Sequence, residues 1–273
     1  MTEPAPATAP APSLDAATIA AYAARLDEAH RERRALDPLE KTYGPFSLSS
    51  AYAVQAAGVA LRLSRGERVS GYKMGFTSEA KRRQMGLGAP ICGVLTHETC
   101  VGDGGHLEVA SGLHPKAEPE IFFVTAKELR GEVSLQEAGA AVAQVGAALE
   151  VLDSRYAGFK YFSLPDVVAD NCSSWRYLLS ARTRGLHGLP IDQLRMQLFV
   201  DGVLSAEAPS SAISGNPLAS ICQLVGLLAQ TGRCLPAGSV VLSGASMAAV
   251  QLSPGMTVRL EVEGLFPVSL RAV

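Results

Sequence analysis

The chain has 273 residues, of which 48% are hydrophobic and 18% charged, a composition typical of a folded globular protein and not of a disordered one. Its 24 basic and 26 acidic side chains give a formal net charge of −2, which leaves no electrostatic footprint for nucleic acid or an anionic membrane. The sequence also lacks an apolar run of the roughly 18–20 residues that span a bilayer, and its N-terminus lacks the pattern of a secretory signal. We therefore expect no nucleic-acid partner, no membrane partner and a cytoplasmic location.

The N-terminal quarter predicts a tail followed by helices. Residues 1–12 alternate Ala and Pro, a composition that cannot bury apolar area and that predicts a disordered tail. Behind it, with Ser13 or Asp15 as the cap, apolar residues recur at helical spacing, and a second helical pattern covers residues 49–63. We assign residues 13–68 to an N-terminal helical region.

The remainder, residues 69–273, has the pattern of a sheet protein. Short apolar or alternating runs are separated by Gly, Pro, Asp and Ser, which is typical of strands between turns. Strands are predicted at residues 69–76, 121–124, 147–152, 196–200, 240–242 and 258–262, and helices at 135–145 and 217–231. The sequence therefore predicts an α+β fold, with a helical start and a mixed sheet that forms the catalytic domain.

Three glutamates are candidates for a metal site. Glu118 and Glu120 stand two apart at the start of an apolar strand, so both carboxylates point to one face and repel each other unless a cation or proton intervenes. Glu150 lies within an apolar run, where a charge is costly unless it is paired or bound to a metal. Three carboxylates without a Cys or His cluster favour Mg2+ or Mn2+ over Zn2+. The alternatives are a solvated surface pair for the first two and a salt bridge to Arg155 for the third.

Other polar groups are candidates for contacts with a substrate. Lys73 stands between apolar neighbours and two glycines in a predicted strand, where it could bind a carboxylate, stabilise an oxyanion, or be an ordinary strand lysine. Asp170 and Ser174 belong to the polar segment VVADNCSS, which could orient a ligand or the Lys73 ammonium, or cap a turn. Ser243 and Gly244, in LSGAS, follow a strand and could present backbone donors to an anion.

Taken in order, the segments GYKMGFTS, HPKAEPEI, ALEVLDSR, VVADNCSS, GNPL and LSGAS resemble the 2-keto-4-pentenoate hydratase and 4-oxalocrotonate decarboxylase group of the fumarylacetoacetase-like superfamily. The resemblance covers almost everything after the Ala/Pro tail. It implies a mixed β-roll with an N-terminal helical region, Mg2+ or Mn2+ held by Glu118, Glu120 and Glu150, and a substrate contact for Lys73. It also implies homo-oligomers, and association with a homologous hydratase.

Within this group, the segment from Asp153 to Tyr161, with KMGFTS and HPK, favours the decarboxylase. That enzyme converts 2-oxo-3-hexenedioate, a small 2-oxo acid of aromatic meta-cleavage catabolism, to 2-hydroxypenta-2,4-dienoate and CO2. On this interpretation Arg155 anchors the distal carboxylate, and Phe159 and Tyr161 line an apolar part of the site.

Two other functions fit the same motifs. The first is the hydratase, which adds water to 2-hydroxypenta-2,4-dienoate and for which Asp170 is the first candidate to deliver a proton. The second is a non-catalytic partner subunit. Pro119 and Asn216 replace residues that the group usually has as Ala and His, a departure consistent with that loss of activity, whereas the intact glutamates and Lys73 argue for an enzyme.

Overall fold

The computed structural model describes residues 11–77, 82, 88–159 and 163–273. The helices are α1 (Ala16–Glu32), α2 (Leu39–Tyr43), α3 (Leu48–Ser64), α4 (Leu135–Ala140), α5 (Leu164–Ala169) and α6 (Ala219–Ala229). The strands are β1 (Val69–Gly75), β2 (Ile91–Thr96), β3 (Cys100–Val101), β4 (Gly105–Leu107), β5 (Lys116–Thr125), β6 (Val142–Leu152), β7 (Ser174–Leu179), β8 (Arg195–Val200), β9 (Val203–Pro209), β10 (Val240–Leu242), β11 (Val250–Gln251), β12 (Thr257–Val262) and β13 (Val268–Ala272).

The first long helices begin at side-chain caps. The Asp15 carboxylate accepts a hydrogen bond from the Thr18 N–H at 2.7 Å, and the Ser47 hydroxyl accepts one from the Ser50 N–H at 3.2 Å. Caps of this kind contribute about 1 kcal/mol each to helix stability. The expected cap at Asp15 is confirmed, and α3 begins within one residue of its predicted start.

The helical layer has its own apolar cluster, in which α1, α2 and α3 pack with α5. Its buried members include Leu26, Phe46, Val54, Tyr156 and Val168. Burying a large apolar side chain contributes about 1.5–3 kcal/mol, so this cluster fixes the helices to the rest of the chain. Helices α1 to α3 fall within the region predicted to be helical, while the boundaries of the tail and of the catalytic domain stay predictions.

The main sheet has the strand order β2-β1-β10-β5-β6-β7-β3, with β11 also paired to β5. Strands β1 and β10 are parallel, and they approach so closely at Gly71 that a Cβ there would lie 1.8 Å from the Val240 carbonyl oxygen. Strands β5 and β6 are antiparallel over most of their length, with Glu118 opposite Glu150. The centre of the candidate site is therefore set by the register of two neighbouring strands.

A second sheet, in the order β4-β13-β12-β8-β9, contributes its buried face to the same core. Alternate residues of β5 and β6, such as Ile121 and Leu149, share that core with Leu198 and Leu260 from the second sheet. The opposite face of β5 and β6 carries the glutamates. Among the described residues, none of the helices combines the length and apolar character needed to cross a membrane.

One predicted helix is wrong in its second half. The helical pattern over residues 135–145 holds only as far as Ala140, and Val142 already begins β6. The capping box between Ser134 and Glu137 starts the helix as the sequence suggests. Pairing with β5 then takes the following residues into the sheet, because tertiary contacts outweigh a local periodicity.

Candidate active site

The structure brings the three predicted metal ligands together. One carboxylate oxygen from each of Glu118, Glu120 and Glu150 lies within 4.8 Å of the other two. The two residues of β5 share a face because a strand repeats every second residue, and the register with β6 places the third directly opposite the first. Glu120 and Glu150 are completely buried, and Glu118 is half-buried.

Three carboxylate oxygens in this cluster accept no hydrogen bond from the described part of the chain: Oε1 of Glu120 and both oxygens of Glu150, of which Oε2 is in an ion pair with Lys73. A buried acceptor without a donor costs about 1–3 kcal/mol, and more when the group is charged. A hard divalent cation satisfies such oxygens, since Mg2+ and Mn2+ prefer carboxylate ligands. The donor set therefore fits the cation that the sequence predicts.

Lys73 supplies positive charge beside the carboxylates. Its Nζ lies 3.0 Å from Oε2 of Glu150 in an ion pair and donates a hydrogen bond to the Cys172 carbonyl oxygen at 3.3 Å. The lysine side chain is 4% exposed. Within the described residues, one ammonium thus faces three carboxylates, and the cation expected at this site would balance their remaining negative charge.

Burial and mutual repulsion shift the pKa of these groups. Burial, reinforced by the charge of Glu118 and opposed by Lys73, raises the pKa of Glu150 to about 7. Burial and the neighbouring Glu150 raise the pKa of Glu120 well above its ordinary value. Burial acts to lower the pKa of Lys73, but Glu150 and Glu118 outweigh it and the pKa is raised, so the side chain stays an ammonium.

We expect the metal-free protein to lose stability, and to gain Mg2+ affinity, as the pH rises towards 8. A carboxyl whose pKa is raised by folding stabilises the protein fully below its ordinary value of 4.5, and that contribution is lost as the pH rises through about 7. Mg2+ competes with the same proton on Glu150. Thermal unfolding of metal-stripped protein and calorimetric Mg2+ titration between pH 5 and pH 8 measure both trends.

Glu150→Gln should flatten the pH dependence of stability, because the titrating carboxyl is gone. An Mg2+ affinity of the unaltered protein that does not change with pH would contradict the assignment.

The polar groups of the segment after β10 form hydrogen bonds to β5. The Gly244 N–H donates to Oε2 of Glu120 at 2.7 Å, and the Ser243 hydroxyl donates to the Ile121 carbonyl at 2.7 Å. Gly244 has a φ of +99°, and a Cβ there would lie 2.4 Å from Oγ1 of Thr77. The Gly244 N–H therefore orients Glu120, a predicted metal ligand, and the close approach of Thr77 requires glycine at this position.

Gly244→Ala should weaken Mg2+ binding by about 10–100-fold, the usual effect of disturbing a group that orients a metal ligand. The added methyl cannot fit against Thr77, so the backbone and its bond to Glu120 must move. Gly238→Ala is the matched control, because Gly238 also has positive φ and a hydrogen-bonded N–H but has open space around its Cβ position. Equal affinities in the two variants would show that the Gly244 contact is unimportant.

Arg155 and Asp170 form a buried ion pair with each other rather than with the glutamates or Lys73. The Arg155 Nε donates to Asp170, and its Nη1 donates to the Ser174 carbonyl oxygen at 3.2 Å. Asp170 also accepts from the Arg155 N–H and from the Ser154 hydroxyl. Burial, opposed by Arg155, raises the pKa of Asp170 to about 6. Three residues predicted to act on the substrate thus contact one another.

The ion pair between Arg155 and Asp170 also lines a cavity whose other walls belong to the helical layer. The cavity has a volume of about 50 Å3 and is also lined by His30, Gln55 and Arg62. It contains none of the three glutamates. No local pattern in the sequence predicts this cavity, because its walls come from separate segments: α1, α3 and the residues after α5.

Of the two aromatic residues predicted to line the site, Phe159 lies in the described part of the chain and Tyr161 does not. Phe159 is buried, stacks on the His114 ring with a centroid distance of 5.4 Å, and has the Lys116 ammonium 4.3 Å from its ring centre. Tyr161 lies outside the described residues.

The sequence analysis missed one group at the site, the Cys172 carbonyl that accepts a hydrogen bond from Lys73, because every residue has a backbone carbonyl and no sequence pattern marks this one.

Comparison with known proteins decides the family. No family model matches the chain. It is 42% identical over 247 residues to a 4-oxalocrotonate decarboxylase from Pseudomonas sp, covering 90% of this chain and 95% of the relative. It is 36% identical over 251 residues to a 2-keto-4-pentenoate hydratase from Burkholderia vietnamiensis, covering 91% and 95%. The chain belongs to the 4-oxalocrotonate decarboxylase and 2-keto-4-pentenoate hydratase family.

Solved structures confirm the predicted fold class. A 4-oxalocrotonate decarboxylase of this family, from Pseudomonas putida G7 and complexed with magnesium and adipate, matches with a TM-score of 0.93 and 33% identity, covering 96% of this chain and 100% of that one. A fumarylpyruvate hydrolase from Pseudomonas aeruginosa matches in fold, with a TM-score of 0.56 and 17% identity, covering 76% and 89%. The fold is therefore the fumarylacetoacetase-like α+β architecture with N-terminal helices.

Proposed function

We propose that this protein is a divalent-cation-dependent decarboxylase that converts 2-oxo-3-hexenedioate to 2-hydroxypenta-2,4-dienoate and CO2. The observation that carries the proposal is the cluster of three glutamates beside Lys73, with carboxylate oxygens that accept no hydrogen bond from the described residues. The 42% identity to one decarboxylase, against 36% to the hydratase, supports this reaction. Adipate, bound to the related decarboxylase, is a six-carbon dioate like the proposed substrate.

Glu118, Glu120 and Glu150 would hold the cation, which supplies Lewis-acid polarisation of the 2-oxo acid. Decarboxylation breaks the bond between C5 and C6 and releases C6 as CO2. The electron pair moves through C4 and C3 to the 2-oxo oxygen, which a proton then neutralises. The reaction thus needs a positive group near that oxygen while charge develops.

Lys73 is the residue that we assign to this oxygen. Its raised pKa keeps it protonated, so it can donate a hydrogen bond to the developing oxyanion. Glu150 and the Cys172 carbonyl lie on two sides of the ammonium, and no third acceptor for it is found among the described residues, so an N–H is available for the substrate. The chain thereby stabilises the charge that forms as CO2 leaves.

Arg155 and Asp170 stay predictions as the anchor of the distal carboxylate and as a second catalytic group. Their mutual ion pair supports a different part for them, in which they fix the backbone between α5 and β7. Phe159 and Tyr161 also stay predictions as apolar lining, and so do Ser174, Ser243 and Gly244 as substrate contacts.

The partner expected from the family is a small 2-oxo acid, which the enzyme binds as its substrate. Assembly into a homo-oligomer, a complex with a homologous hydratase and a cytoplasmic location are proposals that rest on the family resemblance. Size measurements on the purified protein, alone and mixed with a family hydratase, test the first two.

The test of the function is to incubate metal-stripped protein with 2-oxo-3-hexenedioate, with and without Mg2+, while CO2 and the products are followed by NMR. We expect CO2 and 2-hydroxypenta-2,4-dienoate only when Mg2+ is present, and neither from Glu118→Ala. Absence of CO2 together with metal-dependent hydration of 2-hydroxypenta-2,4-dienoate would replace the decarboxylase with the hydratase, which the 36% identity to that enzyme supports as second candidate. Folded protein without metal binding or turnover would instead support a non-catalytic partner subunit.

A further inference from the structure

Three consecutive residues that are not glycine, Asn171, Cys172 and Ser173, have left-handed backbone angles, with φ of 48°, 53° and 58°. Residues with a Cβ normally enter this region singly, because the Cβ crowds the following carbonyl oxygen. Such a run persists only where surrounding contacts hold it. The turn links α5 to β7 next to the candidate active site.

The Asn171 side chain supplies the contacts that hold this turn. Its Oδ1 accepts a hydrogen bond from the Val94 N–H at 2.8 Å, and its Nδ2 donates to the Val94 carbonyl oxygen at 2.9 Å. Val94 lies on β2, which ends the strand order of the main sheet, so the amide pairs with the edge as another strand would. Asparagine also tolerates the left-handed conformation better than most residues.

A glycine on β2 allows the turn to come this close. A Cβ at Gly93 would lie 2.7 Å from the Asn171 carbonyl oxygen and 3.1 Å from Cδ of Lys73. The turn, the sheet edge and the stem of the lysine therefore meet at one position. Moving the turn away from β2 would therefore also move the backbone group of the turn that contacts Lys73.

That contribution is the carbonyl of the second residue in the turn. The left-handed backbone aims the Cys172 oxygen at Lys73 Nζ, 3.3 Å away, while Glu150 lies 3.0 Å from the same nitrogen. Two fixed acceptors from different elements set the direction of a four-carbon side chain that would otherwise rotate. The direction of the remaining N–H depends on both.

The geometry points to Asn171 as a positioning residue that clamps the left-handed turn to β2 so that the Cys172 carbonyl holds the Lys73 ammonium in place. The inference rests on the proposed function, in which Lys73 stabilises the developing oxyanion. Asn171 itself needs no contact with the substrate. Its loss should therefore reduce the rate of the chemical step more than the binding of substrate or Mg2+.

The test compares Asn171→Gly with Ser173→Gly. The first keeps a residue that accepts positive φ but removes both hydrogen bonds to Val94, whereas the second changes the same turn at a side chain for which no hydrogen bond is found among the described residues. We expect Asn171→Gly to lower kcat at least tenfold, with substrate KM and Mg2+ affinity changed less than threefold. Ser173→Gly should keep kcat within twofold of the unaltered protein.

Crystal structures of the variants supply a readout that does not depend on the reaction. In Asn171→Gly the distance between Lys73 Nζ and the Cys172 oxygen should exceed hydrogen-bonding range, and a retained 3.3 Å contact would overturn the inference. An unchanged kcat, or equal losses in both variants, would overturn it as well. If Asn171→Gly does not fold, Asn171→Asp keeps the acceptor for the Val94 N–H but sets a carboxylate oxygen against the Val94 carbonyl in place of the donor, and the same comparison applies. Absence of turnover in the unaltered protein refutes the proposed function alone, because the structural readout still tests the clamp.

Discussion

Glu120→Gln should make the metal-free protein more stable and at the same time remove its response to Mg2+. The glutamate is fully buried and its pKa is raised, so folding at neutral pH forces either an unfavourable charge or the uptake of a proton. Glutamine avoids that cost and can still accept the hydrogen bond from Gly244. We expect the free energy of unfolding without metal to rise by about 1–3 kcal/mol at pH 7.

The stability difference between the variant and the unaltered protein depends on pH and on Mg2+. Below the ordinary pKa of 4.5 the carboxyl is protonated in both states, so the gain should vanish there. With Mg2+ at about 100 times its Kd, the unaltered protein should gain about 2.7 kcal/mol, and Glu120→Gln should gain much less. Thermal unfolding with and without Mg2+ checks both statements, with the exposed Glu108→Gln as control. A variant that is destabilised without metal would contradict the account of the cluster.

Lys73→Met should separate metal binding from catalysis. Removing the ammonium leaves Glu150 buried without its counter-charge, which typically destabilises a protein by about 3–5 kcal/mol when the carboxyl stays ionised. The loss should be smaller at pH 6 than at pH 8, because Glu150 can then take up a proton. Mg2+ affinity should stay the same or increase, since the cation no longer shares its ligands with an ammonium.

Turnover should nevertheless fall by about 10²–10³, the usual loss when one donor to a developing oxyanion is removed. CO2 release at saturating Mg2+, compared with calorimetric Mg2+ binding, measures the separation directly. Lys127→Met is the control, because Lys127 is an exposed lysine. Loss of Mg2+ binding together with turnover would mean that Lys73 supports the metal site and not the reaction.

The site has a common design in which backbone groups orient the charged side chains. The Gly244 contact and the proposed Asn171 clamp are its two examples. Two of the charged groups at the centre are held by backbone groups that take no part in the chemistry: Glu120 by the Gly244 N–H, and Lys73 by the Cys172 carbonyl. Both supports come from segments with positive φ. The run of three residues at positive φ that ends in Ser173 thus lies where the direction of a functional group matters, as expected for a site that must be preorganised.

Local patterns in the sequence were sufficient for much of the fold. Apolar spacing and caps predicted α1 and α3, and alternation predicted six strands, because both signals arise within a few neighbouring residues. The strands β2, β3, β4, β7, β9, β11 and β13 were not predicted, since they are recognised only by their pairing. The helix expected to reach Val145 stopped at Ala140 for the same reason.

For the site, the sequence by itself marked the three glutamates and Lys73 as candidates, because buried charges and repelling carboxylates are unusual in a sequence. Their roles as metal ligands and as a substrate contact came from the family resemblance and stay predictions. Only the tertiary structure decided what the remaining polar groups contact. Arg155 pairs with Asp170, and Gly244 turns its N–H to Glu120, because strand register and turn geometry set these distances. The carbonyl on Lys73 belongs to the backbone, and every residue has one, so no sequence pattern could have selected it.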